Sequence, residues 1–400
     1  MTSQTAFRWF SASTGALRAL HPARGSFPKL LLGSMALLFL GGSPSLAREV
    51  RVAIQQNAQS LTVGSSTPAK VLDGTGQVLG TIKGLEALQA EAVTGAVNLA
   101  GKRAWQLVIV PEDESGLVFI GDRWYRGQAR LIRTSDGFVA VNQVDLEDYL
   151  ASVIGKEMYV SWPLEALKAQ AVASRSYAIF KMQKPKSSLF DLLSTTTSQV
   201  YAGIESEAPS TLEATAQTRG QVLTYQGKVI EAVFHSASGG HTENSEYVWS
   251  SAVPYLKGVP DFDQEAPVFR WTANFTAAQM RQRLPGVGNV RALVPIQSSP
   301  TGRLKQVKIV GDAGSQVLSG TQLRKALGLK STLIEVQPQF GLVAGQATTV
   351  LPTQFQISGR GYGHGIGMSQ WGAHGMAQQG KTYQDIVQYY YRGTQIVTQP

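Results

Sequence analysis

The sequence predicts an α+β fold, with mainly antiparallel sheets, a helical hairpin packed against them and glycine-rich loops that carry the sites. Three observations point there. Residues 48–142 alternate apolar and polar positions and turn every few residues. Residues 145–182 switch to a helical period. Glycine is abundant, 41 of 400 residues, while charged residues make up only 16%, a balance of loop-rich globular rather than disordered chains.

The first 47 residues stand apart. Arg8, Arg18, Arg24 and Lys29 precede an apolar run from Leu30 to Gly42 and then Ser45-Leu46-Ala47, with no acid before Glu49. This succession reads as an export signal peptide over residues 1–47 with small-x-small cleavage, and its apolar run is short for a bilayer span. Periplasm or cell wall is therefore the expected location, with membrane contact only through an uncleaved leader. Without the leader the chain holds 32 bases against 27 acids, a mild positive excess suited to an acidic polymer. No basic run or RNA-type motif accompanies it, so nucleic acid is not an expected partner. The absence of cysteine excludes disulfides, thiolate metal sites and a Cys nucleophile.

In the β-rich part, Val50–Ile54, the stretch Val71–Ile82, Gln106–Val110, Leu117–Ile120, Ala129–Arg133 and Phe138–Val141 read as strands, the last two joined at Asp136-Gly137. A core domain over 143–397 follows. Asp145 is placed to cap a helix whose apolar face is Leu146, Tyr149, Leu150, Val153 and Ile154, ending at Gly155. Lys156–Trp162 connects to a second helix that opens at Pro163 and runs to about Met182, forming an αα-hairpin. Gln221–Tyr225 and Val229–Phe234 read as a strand pair around Gln226-Gly227. Residues 267–350 form a mixed, insertion-like segment in which Leu323–Leu327 is helical and closed by Gly328. Phe355–Ser358 reads as a strand entering a glycine-rich loop, and Thr382–Tyr391 as a last short helix.

All four histidines beyond the leader fall in two clusters, Phe234-His235-Ser236-Ala237-Ser238-Gly239-Gly240-His241-Thr242-Glu243 and Gly361-Tyr362-Gly363-His364-Gly365-Ile366-Gly367 through His374. Both follow strands and sit in glycine-rich loops, where sites are commonly built. Zinc on His235 and His241, with Glu243 or Glu246 completing the set, is one reading. The spacing matches no standard zinc motif, however, so a hydrogen-bonded loop without cofactor is preferred. The second cluster is neither a dinucleotide loop nor a nucleophile elbow.

Three blocks resemble the SpoIID/LytB family of sporulation and cell-wall proteins: LEDYLASVIGKEMYVSWPLEALKAQAVASRSYA from Leu146, GQVLTYQGKVIEAVFHSASGGHTENSEYVW from Gly220, and GRGYGHGIGMSQWGAHGMAQQGKTYQDIVQYYYRGT from Gly359. The resemblance implies a peptidoglycan lytic transglycosylase acting on glycan strands stripped of stem peptides, or a non-catalytic glycan-binding enhancer of a cell-wall amidase. It also implies peptidoglycan, and in the second case an amidase, as partners. A lytic transglycosylase needs a single group that protonates the leaving glycosidic oxygen and later takes the proton of the attacking muramyl 6-hydroxyl. Glu157 suits this, on a tight connection among Met158, Tyr159, Val160 and Trp162 where burial would raise its pKa, and it matches the family's proposed acid in the Glu-Met motif. Tyr159 replaces a Pro common at that position, and Ser194 an Asp. Candidate glycan-binding residues are Gln170, Arg175 and Tyr177 on the second helix. The first loop adds His235, Ser236, Ser238, Gly239, Gly240, Thr242 and Glu246, and the second adds Tyr362, His364, Ser369, Gln370 and Trp371.

Overall fold

A computed structural model describes residues 48–249, 251–340 and 351–399; the leader read over residues 1–47 lies outside the described residues. The class is α+β, as the sequence implies. Glu49–Ala58 and Gly137–Asp145 pair antiparallel, with Glu49 opposite Asp145, at one side of a seven-stranded sheet that continues through Gln128–Thr134, Gln106–Pro111, Ala69–Asp73 and Val78–Ile82. Gly137–Asp145 is buried over almost its whole length, which explains the apolar run Phe138–Val141. A six-stranded antiparallel sheet that includes Ser60–Ser65, Leu88–Val93 and Val118–Ile120 packs against it.

Helix α1 (Leu146–Glu157) starts where the sequence places it: the Asp145 carboxylate accepts from the backbone N–H groups of Glu147 and Asp148. It does not stop at Gly155. A Cβ there would sit 1.8 Å from the Ser206 carbonyl oxygen, so this glycine admits a neighbouring backbone rather than ending a helix. Helix α2 (Leu164–Gln183) follows directly after Pro163. It is buried on nearly every side, packing on α1, on Pro209–Gln217, on Gln370–Gln378 and on Tyr383–Tyr390, which accounts for its run of small residues. Among the described residues no helix is long and apolar enough to cross a membrane.

One hydrophobic cluster joins the N-terminal sheets to α1, α2 and the C-terminal helices. A second joins Phe275, Met280 and Leu323 to Phe355 and Ile357 of the strand Gln354–Arg360. The expected strand Val229–Phe234 is broken. Lys228–Val229 pairs with Thr224–Tyr225, the chain then turns through Ala232 N–H to Ile230 C=O, and Phe234–His235 leaves to pair parallel with Met368–Ser369.

Candidate functional site

That two-residue parallel pairing, with the Ala237–Tyr362 bridge beside it, draws the two histidine loops onto the end of α1. The result is a cleft of about 870 Å³ lined by Glu157, Tyr177, His235, Ser236, Trp249, Tyr362, His364 and Gln370, among others. Glu157 is the last residue of α1. Its Oε1 accepts from Val200 N–H at 2.9 Å and its Oε2 from Gln370 Nε2 at 3.3 Å. Burial pushes the Glu157 pKa upward, and these two hydrogen bonds, which favour the carboxylate, only partly oppose it. No cation lies within ion-pair distance of Glu157 among the described residues, and neighbouring Lys156 is exposed. A half-buried carboxyl without a cationic partner takes up a proton more readily than a free one.

Opposite stand two imidazoles, with ring centroids 5.3 Å apart. His235 is buried; its Nδ1 lies 3.1 Å from the Ile366 carbonyl, which fixes the proton there and leaves Nε2 without a partner. Burial, then His364 and Arg303, hold His235 far below the usual imidazole range. His364 is half-buried between His235 and Trp249; its Nδ1 accepts from Ile366 N–H, and burial, Arg303 and Arg324 bring its pKa down to about 4. Both rings are neutral at physiological pH, fit to exchange hydrogen bonds rather than charge.

Zinc on His235 and His241 would need further donors. His241 is absent from the cleft lining and its Nδ1 lies 2.6 Å from the Thr242 carbonyl. Among the described residues no group of three or more His, Asp or Glu side chains is placed to hold a metal ion.

Several candidates lie elsewhere. Gln170 is fully buried and donates to Ser174 Oγ. Arg175 is fully buried too: its Nε donates to Glu147 Oε1 at 2.8 Å and its Nη1 to the Gln221 carbonyl at 3.1 Å. Both correct the expectation of a groove along α2, because this helix is internal and these side chains turn into the protein; of the three named there, only Tyr177 reaches the cleft. Gly239 and Gly240 donate backbone N–H groups to Asp263, which Ser238 also faces. Thr242 exchanges hydrogen bonds with Val259, and Glu246 pairs with Lys257 at 2.8 Å. These residues brace the first loop and do not line the cleft. Ser369 caps the helix Gln370–Gln378 by accepting from Gly372 N–H. Trp371 joins Trp162, Tyr159 and His374 in an aromatic stack, with Tyr159 exposed.

Other cleft residues were not among the candidates named from the sequence. Thr196, Thr197 and Ser198 line it, and Val200 from the same segment holds Glu157. Trp249, Lys181, Lys186 and Arg324 line it as well, the last coming from helix Gly320–Leu327 of the inserted segment. Beneath the second loop lies Arg303, fully buried, donating to the Ser238 carbonyl while its Nε and Nη1 have no partner. Burial lowers its pKa to about 10. A Cβ on Gly365 would meet this guanidinium at 2.4 Å, so the loop closes over Arg303 only because that position is glycine. No local pattern separates Arg303 or Arg324 from ordinary surface bases.

Comparison with known proteins places these features in a lineage. The model of the stage II sporulation protein family, SpoIID, matches residues 134–225, and that of a domain of unknown function, DUF8618, matches residues 243–367. Stage II sporulation protein D of Bacillus subtilis is 38% identical over 277 residues, covering 64% of this chain and 76% of that one. An uncharacterized protein of Brachyspira hyodysenteriae is 36% identical over 296 residues, 72% of this chain and 76% of its own. The amidase enhancer of Bacillus subtilis is 32% identical over 292 residues, 62% of this chain but 40% of its own length. With a SpoIID match over α1 and α2, and a stage II sporulation protein D matched over three quarters of its length, the chain belongs to the SpoIID family.

Proposed function

We propose that this chain is an exported cell-wall enzyme that cleaves peptidoglycan glycan strands as a lytic transglycosylase, with Glu157 as the single general acid and base. The observation that carries this reading is a carboxyl at the end of α1, inside a cleft, with its pKa raised by burial and no cation to lower it. In the first step the Glu157 carboxyl protonates the glycosidic oxygen as the bond to the anomeric carbon breaks. The carboxylate so formed then accepts the proton of the 6-hydroxyl of the same muramyl residue as that oxygen bonds to the anomeric carbon. The products are a 1,6-anhydro-muramyl end and a second fragment whose new non-reducing end carries the freed hydroxyl; no water is consumed, and Glu157 ends protonated as it began. Val200 N–H and Gln370 orient the carboxyl, and neutral His235 and His364, with Tyr362 and Trp249, offer hydrogen bonds and ring faces to the sugars.

The identity to a relative named amidase enhancer favours a second reading, a glycan-binding protein that stimulates a separate cell-wall amidase and cuts nothing itself. One experiment separates them. Purified protein and its Glu157→Gln variant are incubated with strands freed of stem peptides, and the products are resolved by mass. The enzyme reading expects anhydro-muramyl products that fall by roughly 10²–10⁴-fold in the variant; the accessory reading expects none from either protein, and wild-type yields from the variant remove Glu157 from the mechanism.

A further inference from the structure

The cleft wall carries more positive charge than its own carboxyls balance. Lys156, Lys181, Lys186 and Arg324 face Glu157 and Glu231. Lys181 is paired with Glu231, and no cation lies within ion-pair distance of Glu157 among the described residues. Lys156 and Lys186 are exposed and freely hydrated. Arg324 differs from both. It is half-buried, its Nε is fixed on the Leu329 carbonyl at 3.3 Å, and no carboxylate lies within ion-pair distance of it among the described residues. The backbone that holds it is preset, since Gly328 in left-handed conformation closes the helix and returns Leu329 beneath the side chain. A partly desolvated guanidinium left unpaired costs free energy, and its retention on a cleft wall points to an anion supplied from outside.

We infer, resting on the glycan reading above, that Arg324 anchors an anion subsite for a carboxylate borne by the sugar itself, the 3-O-lactyl carboxylate of a muramic residue freed of its peptide. A planar guanidinium matches a carboxylate with two parallel hydrogen bonds. An attached peptide converts that carboxylate into a neutral amide and moves the nearest charges outward along the peptide, so the same arginine that accepts a stripped strand gains little from a substituted one. The placement suits the chemistry. Arg324 lines the same cleft as His235, His364 and Tyr362, and its charge helps to hold both imidazoles neutral, so a bound anion is placed beside the groups expected to contact the sugars.

The test reads binding by the full chain carrying Glu157→Gln, so that nothing is cut. Tryptophan fluorescence is titrated with stripped strands, with peptide-bearing strands, with stripped strands whose carboxylates are converted to methylamides, and with chitin oligosaccharides. Stripped strands are expected to bind roughly 10- to 100-fold more tightly than the other three. Adding Arg324→Met brings them down to that level and leaves chitin binding unchanged, while Arg324→Lys keeps part of the difference. Equal affinity ratios with and without Arg324, or an equal gain for peptide-bearing strands, overturns the subsite alone. Failure of every ligand to bind overturns the glycan reading itself.

Discussion

The cleft has two walls of opposite construction. The wall made by α1 and α2 is regular helix whose polar groups are mostly spent inside: Arg175 on Glu147 and Gln221, Gln170 on Ser174. It shows the cleft one carboxyl, Glu157, with Tyr177 and Lys181 beside it. The wall made by the histidine loops is irregular backbone. Gly363 has a φ of +118°, and a Cβ there would come within 2.7 Å of the His235 Cβ, so ring and backbone pack face to face. Polar groups on a buried helix maintain the fold, whereas loops over a buried arginine can leave rings facing the cleft, and the helix Gly320–Leu327 adds Arg324 beside them. The division suggests chemistry on one wall and recognition on the other.

The strongest way to break this comparison is at Arg175. If it is a strut, Arg175→Met leaves Glu147 without its partner and lowers unfolding free energy by about 3–5 kcal/mol, measured by denaturant melts, while glycan binding per folded molecule is unchanged. A stable variant that loses binding would move Arg175 back among the substrate contacts. His364 sharpens the other wall. Its folded pKa of about 4 lies below the unfolded imidazole value near 6.5. The native state therefore binds fewer protons between those values, and the stability due to the neutral ring is complete above about pH 6.5 and lost as pH falls toward 4. His364→Gln should flatten that slope, a change on the order of 2 kcal/mol once partial exposure is allowed for, read from melts across the window. Gln370→Leu is the mildest test. Removing a hydrogen bond that favours the Glu157 carboxylate raises the acid's pKa, so the alkaline limb of the cleavage profile moves to higher pH; an unmoved limb would mean that another group sets it.

What was legible in the sequence follows the range of the forces involved. The Asp145 cap, the apolar face of α1 and the turn at Asp136-Gly137 are local, and all appear in the fold. His235 and His364 were singled out because histidine is scarce and their loops glycine-rich, Glu157 because it sits on a tight connection between two helices and matches the family's Glu-Met motif, and the fold brings the three to one cleft. The misplacements share one cause. Gln170 and Arg175 looked like a polar stripe on an open face because the sequence does not show that α2 is enclosed by four other helices. Arg303 and Arg324 act across distances that no spacing rule covers.

The pairing of Phe234–His235 with Met368–Ser369 has a kinetic consequence. The hydrogen-bond distance from His235 to Ile366 bridges 131 positions, and closing so long a loop costs chain entropy before any contact repays it. The α1–α2 hairpin is local and needs no such closure, so the histidine wall is expected to assemble after it. A chain delivered from its N-terminus therefore holds Glu157 without its facing histidine wall until Met368–Ser369 has arrived.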